Sequence, residues 1–374
     1  MAIRTHQKKY HRTHCFNNKR AIMEIQFNWI FVFVVGSVIL LFFVFVGKSY
    51  LNSSEIKLAG KVLQDLDSIM KGASKSSQAS TKLEIPRLNL QFTCSAACTT
   101  EGCDSVFMLG DTGVNKPTPH EVIFAFSEME SDYLITWTLD WAAPFKVANL
   151  LYISSPEIRY VLVYNEAYQG SKAMAEKAYN LMLDNEFLTT SIFSEDELLK
   201  TYTDEGQKYV RFVLFYPFSK NLDVEVGDAE YSLVVFFDPN PSFNGKVMFL
   251  DAESASKPGK FENTLGYFGK EAMMGAIFSA NSDFFKWNMY KGFGNYARVF
   301  EVYKRRAQML SNVQGDCSAL YMPFAGLELP SDFTYPLEFK EDDFAKIQAK
   351  LQQISATAES VNKNAIFHSC PRLY

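Results

Sequence analysis

Between Phe27 and Gly47 the chain carries no charged side chain, and the run reads FNWIFVFVVGSVILLFFVFVG. A helix rises about 1.5 Å per residue, so about 20 apolar residues match a hydrocarbon core about 30 Å thick. Asn28 and Ser37 are the polar members, and Trp29 stands at the entry, where indole rings favour the headgroup region. Arg4, Lys8, Lys9, Arg12, Lys19 and Arg20 precede the run with one acid, Glu24, whereas Lys48, Lys57 and Lys61 follow more sparsely. The positive-inside rule then puts the N-terminus in the cytoplasm and residues 49–374 outside the cell membrane. The segment after the run, KSYLNSSEI, has no A-x-A pattern for a signal peptidase. The expectation is an uncleaved signal anchor and a single-pass topology.

Of 37 basic and 42 acidic residues, 7 and 1 fall within the first 48, leaving 30 and 41 beyond, a balance of −11. An acidic extracytoplasmic part argues against nucleic acid as a partner, because phosphate binding needs cations that displace counterions. The membrane itself and another envelope or membrane protein are the partners expected. Thirty-three phenylalanines indicate a real core. Apolar spacing at Leu58, Val62, Leu66, Ile69 and Met70 predicts a helix over Glu55–Met70, and GASKSSQAST at Gly72–Thr81 reads as a flexible linker.

NLQFTC from Asn89 and DSVFML from Asp104 read as a β-hairpin. Further strands are expected at HEVIFAF from His120, YLITWTL from Tyr133, IRYVLVY from Ile158, KYVRFVLFY from Lys208, YSLVVFFD from Tyr231 and KVMFLD from Lys246. Helical patterns over Phe145–Ile153, Ser171–Asp184 and Glu195–Tyr202 alternate with them. The fold class expected is α/β, a mixed and partly parallel sheet, with an antiparallel meander near Lys208–Asp251. Two stripes, Phe285 to Leu310 and Phe344 to Val361, predict a pair of long C-terminal helices. The organisation is then a basic tail (1–26), a transmembrane helix (27–47), a helical stem and linker (48–81), an α/β ectodomain (82–265) and a helical part packed on it (266–374).

Cys15 precedes the apolar run; Cys94, Cys98, Cys103, Cys317 and Cys370 follow it. Outside the cell disulfides are the first reading, with Cys94–Cys103 across the hairpin and Cys317–Cys370 tying the tail. Zinc held by Cys94, Cys98 and Cys103 with His120 is the alternative. Phosphate-loop, dinucleotide, nucleophile-elbow and zinc-protease motifs do not occur, and no cofactor is implied. Ligands of open α/β sheets bind beyond the carboxyl ends of strands. Asp140, Asn165, Glu166, Asp238 and Asp251 occupy such ends, and Gly170–Ser171 leads into a helix. Asp140, Glu166 and Asp238 are the catalytic candidates of an anchored, metal-assisted hydrolase; each also fits ordinary turn chemistry.

KRAIMEIQFNWIFVFVVGSVILLFF, WTLDWAAPFKVANLLYISSPEIRYVLV and AMMGAIFSANSDFFKWNMYKGF are similar to segments of uncharacterised single-pass membrane proteins of small-genome archaea. The N-terminus also resembles archaeal type IV pilin precursors, with Lys19, Arg20 and Ala21 before a cleavage point and Glu24 third after it. That likeness implies cleavage after Ala21 and a filament subunit. The residues themselves point first to a non-enzymatic binding or structural component of the envelope.

Overall fold

A computed structural model describes residues 19–94, 105–110, 114–118, 121–203, 206–217, 224, 226–237, 243–251, 264–313, 315–330, 333–336 and 340–374. Within these, the side chains of 19–30, 47, 49–56, 58–59, 88, 94, 105, 251 and 341 are not described. Two compact units part between Leu58 and Ala59. Helix α1 (Lys19–Lys75) runs through that boundary. In the first unit its positions Phe31–Val46 are all exposed, and Ser37 donates its hydroxyl to the Phe33 carbonyl at 2.7 Å, so the one polar side chain there is satisfied within the helix. Among the described residues no helix is long and apolar enough to cross a membrane. The ends of the expected span, Phe27–Ile30 and Gly47, lie outside the described side chains.

In the second unit α1 shows a one-sided face, with Leu63, Leu66 and Met70 buried. The stretch expected as a flexible linker is instead the last turn of α1, a short connection and the start of strand β1 (Ser80–Cys94). Its small polar residues are taken up by the sheet: Asn149 donates to the Ser74 carbonyl at 2.9 Å and Thr138 to the Ser76 carbonyl at 2.9 Å. Small residues here serve close approach of backbone to strand, which composition alone does not distinguish from flexibility.

Six strands form the first sheet: β1, β2 (Ser105–Leu109), β3 (Asn115–Thr118), β4 (Val122–Ala125), β5 (Glu128–Ala142) and β6 (Lys146–Ser154). Their order is β3-β2-β1-β5-β6-β4, antiparallel except for β4 beside β6. The β1–β2 pairing meets the hairpin expectation, from Leu90 opposite Leu109 to Cys94 opposite Ser105. The helix expected at Phe145–Ile153 is strand β6. Leu150 to Ser154 are buried in succession between two neighbouring strands, so the apolar run fits a strand covered on both faces as well as it fits a helical face.

The second sheet contains β7 (Ile158–Tyr164), β8 (Thr189–Ser194), β9 (Tyr209–Leu214), β10 (Glu230–Phe237), β11 (Asn244–Asp251) and β12 (Leu265–Phe268), in the order β12-β11-β10-β9-β7-β8. Strands β8, β7, β9 and β10 are mutually parallel, whereas β10–β11 and β11–β12 are antiparallel. The mixed α/β class expected from the sequence is present, with two sheets rather than one. The meander expected from Lys208 therefore fails at its first step, β9–β10. A parallel pair needs a connection of a dozen residues or more, and residues 215–229 provide it without a helix in their described part.

Helices α2 (Ser171–Leu183) and α3 (Glu195–Thr201) link the parallel strands, where the sequence predicts them. After β12 come α4 (Lys270–Phe278), α5 (Ser282–Ser311), α6 (Ser318–Ala325) and α7 (Glu341–Phe367). The two long helices expected are α5 and α7; short α6 contacts both, and Cys317 and Cys370 form a disulfide with Cα atoms 5.9 Å apart. Cys98, Cys103 and His120 lie outside the described residues, as does the side chain of Cys94.

Helix α4 is buried at all but its first residue, and it packs directly on the first sheet. Gly275 makes this approach possible: a Cβ there would stand 2.8 Å from ring atoms of Phe124. Phe124 is itself stacked on Tyr152 and has no room to yield. Gly275→Ala is expected to destabilise the protein by about 1–3 kcal/mol through overpacking, read as a lowered midpoint in chemical denaturation.

Candidate functional site

Strand β7 leaves through α2 to β8 on one side, and β8 returns through α3 to β9 on the opposite side of β7. The connections that leave β7 (to β8) and β9 (to β10) run to opposite sides, so the gap between β7 and β9 is the topological switch point where open α/β sheets leave a crevice. The chain beyond β7 builds the rim of that crevice from its own turn chemistry. Asn165 accepts the Ala167 N–H at 2.8 Å on its side-chain oxygen, an Asx turn, and the Asn165 N–H donates to the Ser171 hydroxyl at 3.0 Å. Gly170 then takes φ 85°, a left-handed conformation that a Cβ would strain, and opens α2 without a side-chain cap.

Three strand ends converge there. Asn165, after β7, donates its amide to the Glu195 carboxylate at the start of α3, after β8. Tyr168 stacks on Tyr216, which follows β9, with centroids 5.9 Å apart and planes at 23°. Tyr216 is 2 % exposed, with the Glu195 carboxylate beside its hydroxyl. Burial, and next the charge of Glu195, push its pKa up, so it stays a neutral phenol. Glu195 itself opens α3, whose end is fixed by a capping box: the Glu197 N–H donates to Ser194 at 3.3 Å and the Ser194 N–H donates back to Glu197 at 3.1 Å.

An open cleft of about 400 Å³ lies on this rim, lined by Glu166, Tyr168, Gln169, Gly170, Lys172, Ala173 and Glu176. Lys172 sits 3.6 Å from the Glu166 carboxylate and 5.4 Å over the Tyr164 ring. Tyr164 first, and then Glu166, raise the pKa of Lys172. The lining thus carries two carboxylates, one of them against the Lys172 ammonium, and an amide around one half-exposed aromatic face. Such a lining suits hydroxyl or amine donors better than phosphate.

The sequence candidates are not brought together. Glu166 is on the cleft, whereas Asp140 lies in β5 of the other sheet. Asp238 and the side chain of Asp251 lie outside the described residues, and among the described residues no three His, Cys, Asp or Glu side chains are placed to hold a metal. Tyr168, Tyr216 and Glu195 escape a search for catalytic motifs; their signal is position alone, at or just beyond strand ends on either side of a glycine that opens a helix.

Asp140 has a different neighbour, Glu271 in α4. Burial alone pushes the Asp140 pKa up, but the Ser77 hydroxyl and Lys146, 3.0 Å away, outweigh it and hold the pKa below the usual carboxylate range. Glu271 is nearly buried; desolvation foremost, with Asp140 adding to it, raises its pKa. A carboxyl whose folded pKa exceeds its unfolded value stabilises the fold below the unfolded value, and that contribution is lost as pH rises through the folded one. Glu271→Gln is therefore expected to raise the melting temperature at neutral pH, with the difference from wild type vanishing below about pH 4. Equal differences at both pH values would place the effect in packing.

Comparison with known proteins finds no family model, no curated protein and no solved structure that matches this chain. The fold and the site define a two-sheet α/β protein with an open cleft on the turn between β7 and α2 in its parallel half.

Proposed function

We propose that this protein is an anchored binding component of the cell envelope: α1 holds it in the membrane, its bulk faces outward, and the cleft on the β7–α2 turn takes a small polar ligand rich in hydroxyl or amine groups. The observation that carries the anchored reading is the unbroken exposure of Phe31–Val46 around the whole of a helix, where soluble helices show one apolar stripe. The Cys317–Cys370 disulfide supports an oxidising compartment for the bulk. The protein is expected to stay in the membrane pellet after alkaline carbonate extraction. Cys15 is expected to react with an impermeant maleimide only after the cells are opened. Release by carbonate sinks the anchor, and labelling of Cys15 on intact cells reverses the topology.

The continuity of α1 from Lys19 through Lys75 favours a second reading, a pilin-like filament subunit processed after Ala21. N-terminal sequencing of the membrane form separates the two: Ile22 as first residue supports the filament, and Met1 or Ala2 the simple anchor.

The ligand class follows from the acceptor-rich lining of the cleft. Thermal-shift screening against neutral saccharides, primary amines and phosphate esters is expected to show stabilisation by the first two classes, abolished by Tyr168→Ala. Stabilisation by phosphate esters alone would overturn this assignment.

A further inference from the structure

Exposed large apolar side chains of the helical layer of the second unit include Val302 and Met309 on α5, Val313 just past its end, Met322 on α6, and Ile366 and Phe367 at the close of α7. Three links bring these helix ends together. The disulfide joins Cys317 to Cys370, Tyr321 donates to the Pro371 carbonyl at 2.5 Å, and Arg306 donates to the Arg372 carbonyl at 3.0 Å. On α5 the inward face is Phe300 and Ala307, both fully buried, so Val302 and Met309 form a second apolar stripe on the outward face, and exposed Val313 follows the helix end. Core packing accounts for the first stripe and leaves the second without a role.

The charge of this end runs against the rest of the chain. Residues 298–311 carry Arg298, Lys304, Arg305 and Arg306 against the single acid Glu301, in a chain whose balance beyond residue 48 is −11. Exposed Lys363 and Arg372 flank Phe367, which is 82 % exposed. A protruding aromatic ring, apolar side chains around it and arginines at the margin fit a bilayer interface, where acyl chains receive the first and anionic headgroups the last. We propose that this end of the α5–α6–α7 layer is a lipid-contact surface that seats on anionic membrane. The bilayer at hand is supplied by the anchored reading above; the surface itself is argued from its own residues.

Full-length protein in nanodiscs of mixed phosphatidylcholine and phosphatidylglycerol tests both parts separately, with the photocrosslinker p-benzoylphenylalanine placed at Phe367 in one preparation and at Phe33 in another. Phe367 is exposed, so the replacement leaves the core untouched. Lipid adducts at both positions are the expected result, with the yield at 367 falling about fivefold on Arg305→Gln and also falling in phosphatidylcholine alone. Adducts at 33, with 367 coupling to a second copy of the chain or to nothing, overturn the lipid surface and leave the anchor standing. Adducts at 367 without any at 33 keep the surface and remove the anchor; adducts at neither position overturn both.

Discussion

One guanidinium, that of Arg211, joins the two sheets. It projects from β9 and is 1 % exposed, donates to the carbonyl of Ser279 at the end of α4, and lies 4.5 Å over the Phe126 ring just past β4. Ala280 in turn donates to the Ala125 carbonyl at 2.8 Å, so the turn that receives the arginine is itself bonded to the first sheet. Among the described residues no carboxylate pairs with Arg211, and its Nε has no hydrogen-bond partner. Burial pulls its pKa down to about 10, which still leaves it charged at neutral pH. A charge kept in the interior on carbonyls and a ring alone is costly to desolvate, and it persists only where the surrounding packing fixes its partners.

That packing is aromatic. Phe278, the last residue of α4, touches Trp137 and Tyr152 of the first sheet at 5.9 and 5.3 Å and Tyr160 of the second at 4.9 Å. Helix α4 thus acts as a wedge whose tip contacts both sheets while its flank rests on Phe124 through Gly275. Tyr160 keeps its hydroxyl on Ser154 at 2.9 Å, so the polar end of a buried ring is satisfied between β6 and β7. A separate apolar cluster covers the other face of the second sheet, with Val161, Phe212 and Leu233 among its members. Two covered faces explain why the parallel strands read as continuous apolar runs, and they hold β7 and β9 rigid beneath the cleft.

Local pattern made much of this legible. The stripes of α5 and α7 and the helices after β7 and β8 follow directly from apolar spacing, and the disulfide at Cys317–Cys370 from compartment and position. Pattern failed where burial on two faces erases the period, as in β6, and where strand direction depends on the length of a connection rather than on its residues, as between β9 and β10. The same limit applies to the site. Asp140 and Glu166 both follow apolar strand sequence, but partition into different sheets is a long-range outcome invisible in either segment. Arg211 and Glu271 were hidden for the opposite reason: each is an ordinary charged residue in an ordinary segment, made unusual only by what folds over it.

Helix α1 changes character along its length. Fourteen large apolar side chains between Phe31 and Val46 are left 37–79 % exposed. Full burial of such a side chain is worth about 1.5–3 kcal/mol, so covering this set would contribute on the order of 20 kcal/mol to whatever association buries it. Some seventeen residues further on, Leu63 begins a face that is buried by the protein itself. Within a single helix, all-round hydrophobicity thus gives way to a one-sided face that the protein itself buries, and the lone hydroxyl of Ser37 in the first stretch is closed onto the Phe33 carbonyl within the helix.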